Sequence, residues 1–337
     1  MKVAKLVSPK KIEIFEENIP SILSPNQALI RVKSVGICGI DLHIFLGHRS
    51  DVVYPRIMGH ELSGIVVKVG DAVSNIKAND MVVLDPIVAC GQCVICKEGH
   101  PNVCVTVKCF GVQMDGGFSE YIVVDASQLY KFSNKLTFQQ AALVEPFSIA
   151  ANIIQRAKIN DSDNVILFGA GTIGLAVLQV VKARGAKILV SDVVDSKLQL
   201  AKSFGADVIV NSKSQNLDVE VYKFAPIGAS VVIDAAGISP LFEQSIKYAG
   251  PLARIAVIGF DKTPAAISPI NITKKELTIV GSRMNCYQFP KVLKWFEDKV
   301  VNPQLLISKE YSIDDIQKAF EYTINNNQNC IKTIINV

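Results

Sequence analysis

Apolar and polar residues alternate along much of the N-terminal third of the chain. This two-residue period predicts strands that bury one face and expose the other. Prolines and glycines between the segments predict tight turns. The N-terminal part is therefore expected to be a β-rich, barrel-like domain that carries its functional residues on loops. The alternating segments are 2–6, 11–15, 28–33, 64–70 and 81–84.

A different pattern begins near residue 160, where short apolar runs alternate with segments of helical periodicity. Such runs are typical of parallel strands buried on both faces. Six of them with intervening helices predict a doubly wound Rossmann sheet in an α/β fold. The tail, 289–337, predicts helix, strand, helix and strand. We expect one domain over 1–148, joined by 285–337, and a second over 149–284. The six runs are 164–168, 187–191, 206–210, 230–234, 254–259 and 277–281.

Composition and charge exclude several classes of protein. The 337 residues are 49% hydrophobic and 20% charged, as expected for two globular domains. No apolar run reaches the roughly 18 residues of a membrane span, and the N-terminus lacks a signal-peptide layout. We therefore expect a cytoplasmic protein. The net charge of +4 is spread without a basic block, which gives no case for nucleic acid as a partner.

A dinucleotide-binding fingerprint opens the second domain. Gly169, Gly171 and Gly174 form G-x-G-x-x-G between an apolar run and a helical segment, which is the context that this motif requires. Glycine at these positions permits the turn, the approach of the pyrophosphate and close helix–strand packing. Asp192, 18 residues after Gly174, is placed to bind the ribose hydroxyls and favours NAD over NADP. Lys197 either adds a ribose contact or is a solvated lysine. The predicted cofactor-binding residues are Gly169, Gly171, Thr172, Ile173, Gly174, Asp192 and Lys197.

Four cysteines are spaced C-x2-C-x2-C-x7-C. Four thiolates at this spacing close a tetrahedral zinc shell and leave no open position, so the predicted metal is structural. An iron–sulfur cluster is the alternative, but the last cysteine is not followed by proline. The predicted ligands are Cys90, Cys93, Cys96 and Cys104.

A second set of residues predicts a catalytic zinc site. Cys38, His60 and a glutamate supply the thiolate, imidazole and carboxylate that zinc binds, and three ligands leave one position open. The glutamate is either Glu61 or Glu145, and the two are expected to exchange. Glu61 adjoins His60 in the chain, whereas Glu145 is a carboxylate within an apolar stretch, which requires an explanation.

Four further residues are candidates for a role around this site. Asp41 is a candidate to orient a zinc-bound histidine, with a turn-forming aspartate as the alternative. His43 either carries a proton to solvent or is an ordinary surface histidine. Arg283 and Asn285 follow the last predicted strand of the Rossmann sheet, where ligands bind in such folds. We expect these two to contact substrate hydroxyls or a carboxylate.

These motifs together resemble those of the zinc-containing medium-chain alcohol dehydrogenases, over the whole chain. The similarity is greatest to the sorbitol, threonine and sugar-acid dehydrogenase branch. Within that branch it is greatest to bacterial enzymes that act on hexonates such as L-gulonate or L-galactonate. The family motifs lie at 36–39, 59–61, 90–104, 115–121, 145–146 and 169–174, and the hexonate resemblance rests on 86–91, 101–104 and 281–283.

The resemblance implies a GroES-like catalytic domain, one catalytic and one structural zinc, and NAD. It implies oxidation of a secondary alcohol of a polyol or sugar acid to a ketone. One position departs from the family: Ile40 stands where a serine or threonine usually passes the substrate proton toward histidine. A zinc-bound water with either glutamate, or a substrate hydroxyl, would replace that relay.

Three alternatives remain open at the level of sequence. The same site would suit an aldehyde or primary-alcohol reductase. A non-catalytic NAD-binding regulator on the same scaffold is the second alternative, and Ile40 is the feature that favours it. A zinc-bearing nucleic-acid module is the third, and no basic aromatic face accompanies the cysteines. We expect a homodimer or homotetramer, because an exposed edge of the Rossmann sheet can pair between subunits.

Overall fold

Strands outnumber helices in the chain up to Lys131, as the alternating pattern predicts. The computed structural model describes residues 1–20, 24–259 and 261–337. Within these residues, no helix combines the length and apolar character that crossing a membrane requires. Contacts divide the chain into two units. Unit 1 comprises Met1–Glu145, Phe289–Lys299 and Pro303–Val337; unit 2 comprises Pro146–Gln288 and Val300–Asn302.

The elements of the described residues follow in chain order. The strands are β1 Lys2–Ser8, β2 Lys11–Glu16, β3 Gln27–Gly36, β4 Glu61–Val69, β5 Met81–Leu84, β6 Ile87–Val88, β7 Lys108–Cys109, β8 Tyr121–Asp125, β9 Leu129–Lys131, β10 Asn164–Phe168, β11 Lys187–Asp192, β12 Val208–Asn211, β13 Ala229–Asp234, β14 Ala249–Val257, β15 Thr278–Gly281, β16 Ile307–Ser312 and β17 Lys332–Asn336. The helices are α1 Gly39–Phe45, α2 Val94–Lys97, α3 Phe138–Ala142, α4 Val144–Arg156, α5 Thr172–Ala183, α6 Asp195–Ser203, α7 Leu217–Phe224, α8 Ser239–Tyr248, α9 Ile270–Thr273, α10 Phe289–Glu297 and α11 Ile316–Asn325. The predicted helix, strand, helix and strand of the tail are confirmed as α10, β16, α11 and β17.

The centre of unit 1 is a seven-stranded sheet. Its order is β16-β17-β3-β4-β5-β9, and β8 also pairs with β3. Since β3 is paired with three strands, its side chains are largely buried, and they join a core that includes Leu6, Phe118 and Phe320. In the β3–β4 ladder Gly36 lies opposite Glu61, and in the β3–β17 ladder Gly36 lies opposite Ile334. The ladders therefore bring one end of each of these three strands to the same place.

Unit 2 contains a six-stranded parallel sheet of order β12-β11-β10-β13-β14-β15. The predicted doubly wound fold is thus confirmed. Its central strands are buried on both faces, and Ile166, Leu189 and Val232 are fully buried. The sequences of these strands are therefore continuously apolar and do not alternate with polar residues. The predicted strand 206–210 begins later, at Val208. The Asp207 amide donates to the Ile188 carbonyl oxygen, and the Asp207 carboxylate binds the Ile188 amide and Lys182. The predicted run 254–259 overlaps the end of the longer strand β14, which begins at Ala249 and ends at Val257.

Candidate active site

Three potential metal ligands meet at the end of the unit 1 sheet. The ligand atoms of Cys38, His60 and Glu61 all lie within 4.8 Å of one another. Cys38 directly precedes α1, two residues beyond the end of β3, and Glu61 is the first residue of β4. Glu61 was expected on a loop; it lies in the strand because the β3–β4 ladder extends to the Gly36–Glu61 pair. Strand pairing therefore places Cys38 beside His60 despite their separation in sequence.

Asp41 contacts two members of this cluster, Cys38 and His60. Its carboxylate is fully buried, and Oδ2 accepts a hydrogen bond of 2.9 Å from the Cys38 amide. Oδ1 faces His60 Nδ1 at 3.6 Å, which leaves Nε2 as the nitrogen available to a metal. Histidine ligands of metals are typically oriented by a carboxylate in this way. Asp41 therefore fits both interpretations, because its carboxylate faces the His60 ring and also caps the first turn of α1 through the Cys38 amide.

Glu145 is a second buried carboxylate close to the same charges. It is the second residue of α4 and 5% exposed. Burial raises the pKa of Glu145 to about 7, against the opposing effect of a charge on His60. Glu145 lies outside the 4.8 Å cluster, but its carboxyl group interacts electrostatically with both His60 and Glu61. Two glutamates therefore remain available to the site.

The sequence interpretation missed Lys332, which enters the site on β17. Its ammonium lies 2.7 Å from each carboxylate oxygen of Glu61, and both residues are almost fully buried. The one feature of the sequence that could have indicated this role is that Lys332 is a single charged residue in an apolar stretch, directly before Thr333 and Ile334. On its own that signal does not identify a partner, because an isolated lysine in a strand is ordinarily a solvated edge residue.

The four-cysteine lobe has the geometry of a tetrahedral metal site. The Sγ–Sγ distances are 3.5 Å for Cys93–Cys96 and Cys90–Cys104, and 3.9 Å for Cys90–Cys96 and Cys93–Cys104. Zinc–sulfur bonds of about 2.3 Å in a tetrahedron place the sulfur atoms about 3.8 Å apart. All four cysteines are free of disulfides. Hydrogen bonding from the Cys90 amide lowers the pKa of Cys104 to about 6, which favours the thiolate that zinc binds.

The dinucleotide fingerprint forms the junction of β10 and α5. Gly169 adopts φ +94°, and a Cβ at Gly174 would overlap the Gly169 carbonyl oxygen. A Cβ at Gly171 would meet nothing within 4 Å, so that space is open to a ligand. Thr172 and Ile173 begin α5, where the amides of the first helical turn and the helix dipole favour an anion. The geometry fits a pyrophosphate.

Asp192 ends β11 beside this junction. Its Oδ2 accepts a 2.7 Å hydrogen bond from the Ala170 amide, and Oδ1 accepts bonds from the Val193 and Val194 amides. The carboxylate thus fixes the Gly169–Gly171 turn and places a negative charge next to it. Lys197 lies half-buried in the first turn of α6.

The fingerprint predicts opposite effects for two single substitutions. Gly174→Ala should lower the midpoint of thermal unfolding, because the added methyl group overlaps backbone. Gly171→Ala should leave that midpoint unchanged but raise the Kd for NADH by about 10-fold or more, since it intrudes only where the cofactor approaches. Calorimetry and NADH fluorescence titration measure the two effects. A loss of stability in Gly171→Ala with unchanged affinity would contradict this interpretation.

The remaining predicted residues belong to neither ligand cluster. His43 is exposed, with its ring 5.9 Å from that of His48. Arg283 is exposed and Asn285 fully buried, in the segment that follows β15 in unit 2. This segment is held by Asn152, which donates to Ser282 Oγ at 3.2 Å and to the Met284 carbonyl oxygen at 3.1 Å. Their roles toward a substrate stay predictions.

Comparison with known proteins gives the family. A family model for the alcohol dehydrogenase GroES-like domain matches residues 24–134, and one for zinc-binding dehydrogenases matches 172–298. The Escherichia coli K12 starvation-sensing protein RspB is 36% identical over 337 residues, covering 99% of each chain. The chain belongs to the zinc-containing medium-chain alcohol dehydrogenases. The resemblance derived from the motifs is thereby confirmed, including its polyol and sugar-acid branch.

The chain is also similar to a second curated dehydrogenase and to a crystal structure of RspB. The L-galactonate-5-dehydrogenase of Escherichia coli K12 is 32% identical over 337 residues, covering 99% of this chain and 98% of that protein. The crystal structure of RspB from Escherichia coli CFT073, a complex with NADH, aligns with a TM-score of 0.95 at 36% identity and covers 100% of this chain and 99% of that chain. Membership of the medium-chain family makes this protein a zinc-binding alcohol dehydrogenase that uses a nicotinamide cofactor.

Proposed function

We propose that this dehydrogenase oxidises a secondary hydroxyl of a polyol or sugar acid to a ketone with NAD, and that its preferred substrate is a hexonate such as L-gulonate or L-galactonate. The observation that carries the proposal is the Cys38–His60–Glu61 cluster, whose histidine faces the Asp41 carboxylate. The 32% identity to L-galactonate-5-dehydrogenase supports the substrate class.

Each residue of the site has a definite task in this reaction. Cys38, His60 and a glutamate would hold the zinc, while Cys90, Cys93, Cys96 and Cys104 would hold a second zinc in the lobe. When bound, the catalytic zinc lowers the pKa of the substrate hydroxyl and the nicotinamide accepts the hydride. Asp41 holds the His60 ring and the Cys38 backbone in the positions from which the two residues would bind the zinc.

The proton of the hydroxyl needs a separate path. Ile40 is half-buried next to Asp41 and has no hydroxyl to pass a proton toward His43. In the proposed reaction a carboxylate oxygen of Glu61 or Glu145, or a second hydroxyl of the substrate, accepts it instead. His43 then completes the transfer to solvent from its exposed position.

The cofactor preference is proposed from Asp192. Its carboxylate ends β11 beside the fingerprint turn, where it would accept hydrogen bonds from ribose hydroxyls and repel a 2′-phosphate. Lys197 would add a contact to the same ribose. We further propose a homodimer or homotetramer, since β15 is an edge strand of the unit 2 sheet.

A substrate panel tests the proposal. NADH formation is followed with hexonates, sorbitol and L-threonine, and NADP is compared with NAD. If Arg283 binds the substrate carboxylate, Arg283→Gln should raise the KM for the hexonate about 10- to 100-fold, which is the typical value of a charged hydrogen bond. The same variant should leave the KM for sorbitol unchanged. Turnover of sorbitol, but of no hexonate, would refute the hexonate preference, and turnover of L-threonine alone would refute the substrate class.

A second candidate function rests on Ile40. If the chain binds zinc and NAD but oxidises none of these alcohols, the missing hydroxyl favours a non-catalytic, NAD-sensing role on the dehydrogenase scaffold. Reduction of an aldehyde with NADH in the same assay would instead favour a reductase.

A further inference from the structure

A buried ion pair adjoins the proposed metal ligands. Lys332 is 2% exposed and Glu61 1%, and the Lys332 ammonium contacts both carboxylate oxygens at 2.7 Å. Its third hydrogen bond, of 2.9 Å, goes to the carbonyl oxygen of Ile37, the residue before Cys38. All three donors of the ammonium are therefore used, and each holds a group that adjoins or belongs to the ligand cluster.

The backbone around this pair is shaped to accommodate it. Gly36 lies opposite Glu61 in the β3–β4 ladder, and a Cβ at Gly36 would overlap Glu61 Oε2. On the other side, the Ile37 amide donates to the carbonyl oxygen of Thr333, which fixes β17 against the strand that leads to Cys38. The carboxylate of Glu61 therefore contacts Lys332 and lies near the Cys38 and His60 ligand atoms, in a position that a side chain at residue 36 would obstruct.

This placement makes two cations compete for one carboxylate. The ligand atom of Glu61 is within 4.8 Å of those of Cys38 and His60, so a bound metal attracts the carboxylate that Lys332 already holds. Each attraction is strong, because the site is buried and solvent does not screen it. The Lys332 contact therefore weakens the affinity of Glu61 for the metal. Glu145 remains as a second carboxylate within electrostatic reach of the same site.

We propose that Lys332 is a positioning residue that holds the Glu61 carboxylate and keeps it an exchangeable rather than a permanent ligand of the active-site metal. A coordination position is thereby kept available for the substrate oxygen. This inference rests on the proposed catalytic metal site. It accounts for a fully buried lysine whose only side-chain partner is Glu61 among the hydrogen bonds and ion pairs described.

The first test replaces the catalytic zinc with cobalt. Co²⁺ absorbs more strongly in the visible range when it has four ligands than when it has five or six. In Lys332→Met, the released Glu61 is expected to bind permanently, which weakens this absorption and slows loss of the metal to a chelator. The four-cysteine lobe contributes equally to each spectrum and cancels in the difference between variant and wild type. Lys332→Arg, which keeps the charge, should restore most of the wild-type spectrum.

Kinetics give the matched control. Lys332→Met should lower kcat/KM by about 10- to 100-fold, the usual cost of losing a partner of a metal ligand. On a Glu61→Gln background the same substitution should change kcat/KM by less than about 3-fold, because no carboxylate charge remains for Lys332 to hold. Thermal unfolding identifies any variant that fails to fold, and Lys332→Gln then replaces Lys332→Met in both measurements.

The outcomes separate the inference from the proposed function. A folded Lys332→Met protein with the wild-type cobalt spectrum and kcat/KM would overturn the inference. So would a loss of activity that is equally large on the Glu61→Gln background, since it would show a purely structural role. Failure of the wild-type protein to bind cobalt beyond the four-cysteine lobe would instead refute the proposed catalytic site.

Discussion

Cys38→Ser is expected to lower kcat/KM by at least about 1,000-fold, while the protein stays folded and keeps one zinc per chain. The metal supplies several kcal/mol of charge stabilisation to the reaction, and each 1.4 kcal/mol corresponds to a factor of ten. Cys38 is the thiolate of the ligand cluster and adds little to the core, so the midpoint of thermal unfolding should change little. Steady-state kinetics, elemental analysis for zinc and calorimetry measure these three quantities.

Cys286→Ser is the matched control for this experiment. Cys286 lies in unit 2 and belongs to neither ligand cluster, so its substitution tests the chemistry of removing a thiol without removing a ligand. Its activity and zinc content should equal those of the wild-type protein. Activity of Cys38→Ser within about tenfold of wild type would show that the cluster is not the catalytic centre.

Cys104→Ser is expected to reduce stability more than catalysis, in contrast to Cys38→Ser. This cysteine is 3% exposed and contacts the Sγ atoms of Cys90 and Cys93, so its loss opens the tetrahedral shell. We expect loss of the lobe zinc, cleavage of the segment 90–104 by protease, and a decrease of about 4 kcal/mol in the free energy of unfolding. Denaturant titration and limited proteolysis measure the effect.

The metal content distinguishes this second result from the first. Zinc should remain at Cys38 and His60 in Cys104→Ser, and residual alcohol oxidation should persist at temperatures at which the protein stays folded. Retention of two zinc ions per chain, with unchanged protease resistance, would contradict a structural role for the lobe. The two variants therefore separate a metal needed for chemistry from a metal needed for folding.

The parts of the molecule that depend on local patterns were predictable. The doubly wound sheet follows from short apolar runs, since a strand covered on both faces needs no polar side. The four-cysteine lobe follows from spacing alone, because its ligands lie within 15 consecutive residues and their geometry is set by the intervening turns. In both cases the information that specifies the structure is contained in a short stretch of sequence.

The ion pair of Glu61 with Lys332 was not predictable in this way. The two residues are separated by 271 positions, and only the pairing of β17 with β3 brings them together. Nothing local distinguishes Lys332 from a solvated lysine at a strand end. The start of β4 was missed for a related reason, because the extent of a ladder depends on its partner strand rather than on its own residues.

The position of β17 has a consequence for synthesis of the protein. The strand is formed by residues 332–336, yet it pairs with β3, which is made nearly three hundred residues earlier. Until β17 leaves the ribosome, residues 34–36 of β3 lack this partner strand and Glu61 is without its cation. The unit 2 sheet is complete well before that point, since its strands lie between residues 164 and 281. A nascent chain can therefore complete its cofactor-binding sheet before the Glu61–Lys332 pair can form.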